Sequence, residues 1–102
     1  MKYVIGIVPV GLLEEVTRAL GRGGIYRLTV GEVDAVATGK TAAPGPQDRR
    51  LRLEVAVNDE FLEPALEAFR AVQVSDDRVW VSVLPLEETL RIRTGETGHE
   101  AI

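Results

Sequence analysis

Residues 50–57, Arg-Leu-Arg-Leu-Glu-Val-Ala-Val, alternate polar and apolar with period two, and this is the clearest strand signal in the chain. Leu51, Leu53, Val55 and Val57 are expected on a core, with Arg50, Arg52 and Glu54 on the other face. Tyr3 to Val8 is rich in β-branched residues and bounded by Pro9 and Gly11, so it predicts a first, buried strand. Leu12, Leu13, Val16, Ala19 and Leu20 then recur at helical spacing, with Glu14, Glu15 and Arg18 outward and Gly21 with Gly23-Gly24 as a stop. Residues 25–36 lack a helical stripe and predict one long second strand. Residues 37–48 are small, polar and Pro/Gly-rich, which describes a loop within a domain. After Asn58 or Asp59 as a cap, Leu62, Ala65, Leu66, Phe69 and Val72 form the stripe of a second helix. Pro64 restricts that helix, because proline is tolerated only near the first turn. Ser75-Asp76-Asp77 predicts a turn, and residues 78–84 a fourth strand ending at Pro85.

The order β-α-β-β-α-β predicts an α+β, ferredoxin-like sandwich with an antiparallel sheet carrying both helices on one face, the whole chain 1–102 forming one domain. The other sheet face is then open. Strands one and four are apolar on both sides, so the simplest remedy is burial against other copies, and a homo-oligomer is expected.

Composition narrows the function. With 102 residues, 27% charged residues and a formal net charge of −4, the chain fits a soluble domain and disfavours binding to nucleic acid through phosphate neutralisation. There is no cysteine and one histidine, His99, so thiolate metal sites are excluded and one imidazole cannot make a zinc site. The longest apolar run, residues 3–10, is far short of a membrane span and lacks the features of a signal peptide, so a cytoplasmic protein is expected.

The chemistry gathers at the end, residues 90–102. In an extended segment Arg91 and Arg93 would project two guanidinium forks from one face, an arrangement suited to a polyphosphate. Ordinary solvated charge is the competing reading of the pair. Gly39-Lys40-Thr41 invites comparison with a phosphate-binding P-loop, but the upstream glycine and the strand-to-helix setting are missing.

Arg91-Ile92-Arg93-Thr94-Gly95-Glu96 with Ala101-Ile102 closely resembles the carboxyl end of the PII signal-transduction proteins. Leu28-Thr29-Val30-Gly31-Glu32-Val33 is similar to that family's Met-Thr-Val-Thr-Glu-Val segment, and residues 50–55 fit the strand leaving its T-loop. The resemblance runs along nearly the whole chain. It implies a homotrimer with adenine-nucleotide sites in clefts between subunits and a T-loop, here about residues 37–49, that reports occupancy to a protein target. Carried over by position, it implies that Thr29 contacts base or ribose and that Arg91 and Arg93 reach ribose and phosphates. Arg50 stands where the family has a phosphate-contacting lysine, and Arg78 where it has the lysine closing the B-loop. Thr38, Gly39, Lys40 and Thr41 would be loop contacts to the partner.

The departures matter as much. The family's glycine-rich B-loop becomes Ser75-Asp76-Asp77-Arg78, which puts an acidic side chain where backbone N–H groups would approach phosphate. At the T-loop base, Ala35-Val36-Ala37-Thr38-Gly39 lacks the family's glutamine for magnesium and 2-oxoglutarate, and the shortened loop has no tyrosine for uridylylation. These departures resemble the carboxysome-associated PII branch. They imply ADP or AMP ahead of ATP, bicarbonate as a second ligand, a carboxysome association and a role in inorganic-carbon metabolism. A nitrogen-regulatory sensor controlling a transporter or enzyme is the alternative, and a ligand-free structural oligomer, with the arginines in subunit salt bridges, is a further one. Catalysis is not expected: Asn58, the sole asparagine, would be needed for acyl-phosphate hydrolysis but lies at a helix cap, and no nucleophile-base pair presents itself.

Overall fold

The computed structural model describes residues 1–36, 48–72 and 80–102. Its elements run β1 (Lys2–Pro9), α1 (Leu13–Arg22), β2 (Thr29–Ala35), β3 (Asp48–Val57), α2 (Leu62–Ala71) and β4 (Trp80–Pro85). Short 3₁₀ turns at Val10–Leu12 and Asp59–Phe61 lead into the two helices, and a third spans Gly98–Ala101. The strands form one antiparallel sheet ordered β2-β3-β1-β4, the arrangement expected of a ferredoxin-like fold.

The helix-facing side of the sheet builds the core. Val4 and Val8 of β1 and Leu51, Leu53, Val55 and Val57 of β3 pack under Val16, Ala19 and Leu20 of α1 and Ala65 and Ala68 of α2, all buried. Gly6 sits in that row because the Phe69 ring lies over it: a Cβ there would fall 2.5 Å from Phe69 Cε1. Ala68 completes the buried face of α2, although the stripe read from the sequence did not include it.

Three boundaries differ from the sequence reading. Gly21 lies inside α1, and the stop falls at Gly24, whose φ of +86° takes the left-handed position. There the Ile25 amide donates to the Leu20 carbonyl at 2.9 Å and the Gly24 amide to that of Gly21 at 3.1 Å, with Ile25 packed against Leu20 in the core. This is a Schellman closure. The same closure shortens the second strand: Ile25 is drawn to the helix end, and sheet pairing begins only at Thr29. Finally, neither Asn58 nor Asp59 caps α2 through its side chain. Asn58 Nδ2 donates instead to the His99 carbonyl at 3.1 Å, and Asp59 pairs with the amino terminus at 2.9 Å. Pro64 fits because the 3₁₀ turn delays α2 to Leu62, which leaves proline in the first turn, where amides have no intrahelical partner anyway.

Over Tyr3, Ile5 and Ile7 no described element covers the second sheet face. Register sets Trp80 beside Ile7, Ser82 beside Ile5 and Leu84 beside Tyr3, with Arg52, Glu54 and Ala56 on their other flank. Trp80 and Leu84 are 50% and 42% exposed, so the greasy face expected of a lone chain is present.

Candidate functional site

The tail folds back along the end of the sheet where β2 and β4 meet their loops. Its course is a turn rather than the extended segment expected: the Gly95 amide donates to the Arg91 carbonyl at 2.8 Å and the Arg91 amide to the Glu96 carbonyl at 2.9 Å. Gly95, at φ +75°, permits the reversal, and Leu90 bridges to Thr97 at its neck. Arg91 and Arg93 therefore do not share a strand face. Arg91 is half-buried, with Nε and Nη2 donating to the Ala101 carbonyl at 3.3 and 3.2 Å, whereas Arg93 is exposed at the turn.

Arg91 forms one wall of a cleft of about 390 Å³ that also contains Thr29, Tyr3, Glu54, Arg27 and Ile102. Thr29 stands directly opposite Glu54 in the β2–β3 pairing, so hydroxyl and carboxylate lie side by side. Two bonds hold Glu54: Tyr3 Oη donates to Oε2 and Arg52 Nε to Oε1, each at 2.5 Å. The Tyr3 hydrogen bond, then that of Arg52, keeps the Glu54 carboxyl below its ordinary range, and the same hydrogen bond raises the Tyr3 phenol. The cleft thus presents an acceptor, a hydroxyl and a guanidinium around the apolar Leu28 and Leu90. Such a set suits a polar ligand with its anionic part at the arginine and its N–H or O–H groups at the carboxylate. Tyr3, Glu54 and Arg27 were not singled out in the sequence; the alternation of β3 placed Glu54 on this face, but only the β1–β3 register brings Tyr3 to it.

A second cavity of about 370 Å³ adjoins the first and shares Arg27, Ala56, Arg91 and Ile102 with it, with Phe61 and Tyr26 as further walls.

Other expected site residues lie elsewhere. Arg50 is four residues from Glu54 along β3, hence about 13 Å away, and is 2% exposed beside Val33 and Pro9. Ala35 and exposed Val36 are at that same far end. Ala37, Thr38, Gly39, Lys40 and Thr41, and Ser75, Asp76, Asp77 and Arg78, lie outside the described residues. Among the described residues, Thr29 and Arg91 therefore lie at one end of the sheet, and Ala35, Val36 and Arg50 at the other. Among the described residues no cluster of acidic or histidine side chains could hold a metal ion, and no helix is long and apolar enough to cross a membrane.

The sequence model of the family described as "Nitrogen regulatory protein P-II" matches residues 1–96. The chain is 40% identical to nitrogen regulatory protein GlnK1 of Methanosarcina mazei over 118 aligned positions, covering 100% of this chain and 97% of that one. It is 32% identical to nitrogen regulatory protein P-II of Cereibacter sphaeroides over 114 positions, with 100% of both chains covered. Nitrogen regulatory protein P-II 2 of Methanothermobacter thermautotrophicus is 31% identical, with 100% of this chain and 97% of that one covered.

Proposed function

The chain belongs to the nitrogen regulatory protein P-II family, and from that premise we propose that it is a non-catalytic regulator binding adenine nucleotide between copies of itself. The observation that carries this reading is the cleft uniting Thr29, Glu54 and Arg91. Glu54, held ionised, accepts hydrogen bonds from the base or ribose and repels phosphate, which directs the phosphates toward Arg91 and the exposed Arg93.

A second copy supplies Arg50 and Val36 to the same site, since within one chain Arg50 lies four strand residues from Glu54 and is covered. The uncovered face bearing Trp80, Ile7, Ile5 and Leu84 supports that assembly, since pairing it with other copies removes apolar area from water. The assembly is a homotrimer with three such clefts. Residues 37–41, between β2 and β3, contact the protein target.

ADP or AMP is preferred to ATP, because Asp77 replaces a glycine of the family's B-loop and adds a side chain and a like charge at a position where glycine would let backbone amides approach phosphate. Alignment with GlnK1 spans 118 positions against 102 residues here, leaving 16 without a counterpart in this chain, and we assign part of that difference to a shortened T-loop. Two inputs remain in competition. The names of the relatives favour nitrogen control, whereas the glutamine-free Ala35-Val36-Ala37 segment favours ADP or AMP with bicarbonate in inorganic-carbon metabolism, at a carboxysome.

Calorimetry with AMP, ADP and ATP, each with and without bicarbonate and 2-oxoglutarate, tests the reading. Tighter binding of ADP or AMP than of ATP is expected, and absence of binding to all three overturns it. Enhancement by bicarbonate selects the carbon input, and enhancement by 2-oxoglutarate the nitrogen input.

A further inference from the structure

We propose that residues 98–102 are a latch that occupies the Thr29 cleft and keeps the Arg91 guanidinium engaged until nucleotide displaces it. The inference rests on the nucleotide reading of that cleft and adds an autoinhibitory contact to it. Arg91 Nε and Nη2, one bidentate edge of the guanidinium with which it would grip a phosphate, both donate to the Ala101 carbonyl. Ala101 and Ile102 line the cleft beside Thr29, and Ile102 also reaches the adjoining cavity beside Phe61.

Three anchors hold the tail there. The Gly98 amide donates to Glu88 Oε1 at 2.8 Å and to the Thr89 carbonyl at 3.1 Å, and Asn58 Nδ2 donates to the His99 carbonyl at 3.1 Å. Glu88 Oε1 also accepts from the Thr89 amide at 2.9 Å, so a single carboxylate oxygen clamps the entry and return of the tail loop. Gly98, at φ +64°, turns the chain into the terminal 3₁₀ segment.

The strengths suit a displaceable device. A guanidinium bonded to a carbonyl makes a weaker contact than one bonded to a phosphate, so the incoming ligand offers Arg91 the better partner. The anchors are exposed, and one short 3₁₀ turn has little cooperative stability of its own, so the tail opens locally without unfolding the sheet. Apparent nucleotide affinity is then the intrinsic affinity reduced by the fraction of chains with the latch open. Asn58 and Glu88 become regulatory residues that need never touch ligand.

The test compares ADP binding by calorimetry for the full chain, the chain ending at Thr97, and full-length Asn58→Ala and Glu88→Ala. The truncated chain is expected to bind about three- to tenfold more tightly, the factor set by hydrogen bonds of ordinary net strength. Asn58→Ala, which leaves charge unchanged and every cleft residue present, and Glu88→Ala are expected to shift affinity in the same direction by a smaller factor. Exchange of the Gly98 amide with deuterium should quicken when ADP is added. Equal or weaker binding in the truncated chain and in both variants overturns the latch and makes the tail an ordinary wall of the site. ADP binding to none of the four chains overturns the nucleotide reading, and the latch with it.

Discussion

Tyr3 of β1 donates its phenolic hydrogen to the Glu54 carboxylate of β3 at 2.5 Å, a diagonal contact across the two central strands that joins the sheet to the Thr29 cleft. Its pH behaviour follows from the two opposite shifts. Glu54 is held below its ordinary 4.5, so its contribution to stability is present above 4.5 and is lost as pH falls through the lowered folded value. Tyr3 is raised above 10.0, so its contribution is present below 10.0 and is lost as pH rises through the raised value. Tyr3→Phe removes the leading cause of the Glu54 shift. The Glu54 carboxyl, followed by NMR, should titrate at higher pH in that variant, and the acid unfolding midpoint should move upward; an unchanged Glu54 titration would contradict the coupling.

Close approach of β1 to α2 depends on Gly6. A methyl group there meets Phe69 Cε1 at 2.5 Å and Cζ at 2.7 Å, so Gly6→Ala must displace the ring. The expected loss is about 1–3 kcal/mol in urea unfolding. Combining Gly6→Ala with Phe69→Leu should recover part of it, since the side chain that clashes is then shorter.

Gly24 closes α1 in the left-handed region, and a Cβ there would also lie 3.1 Å from Phe61 Cε1. Gly24→Ala should cost about 1–2 kcal/mol for the conformation alone. Gly21→Ala is the control. It lies within the helix with open space around its Cβ, and its stability should rise by roughly 0.5–1 kcal/mol.

The three arginines matched to the family should separate experimentally. Arg93→Ala changes an exposed turn and should leave thermal stability within about 0.5 kcal/mol while weakening nucleotide binding. Arg91→Ala should weaken binding more, because its guanidinium faces the Thr29 cleft. Arg50→Ala removes a side chain that is 2% exposed and should lower stability by about 1–3 kcal/mol as well as affinity, read by urea unfolding beside calorimetry.

How far these properties could be read from the amino-acid pattern differs by residue. The alternation of Leu51, Leu53, Val55 and Val57 predicted both a strand and its buried face, and the structure agrees. Burial of Arg50 could not be read in the same way: Arg50 and Arg52 share a face and a residue type, yet Arg50 is buried between Pro9 and Val33 while Arg52, between Ile7 and Gly31, is exposed. Residues 25–28 have the composition of a strand but lie outside the sheet ladder, since Ile25 serves the end of α1.

The order of strands and helices, the core faces and the family motifs were local properties, written in periods of two and 3.6 and in short runs such as Leu28–Val33 and Arg91–Glu96. Those patterns survive folding because backbone geometry repeats them residue by residue. Partnerships between distant residues had no such local record. The β1–β3 register set Tyr3 against Glu54, the β2–β3 register put Thr29 beside Glu54 and away from Arg50, and the Gly95 turn folded Arg91 onto Ala101. Each of those outcomes depends on which segments pair and where chain reversals fall, quantities set by packing over the whole domain.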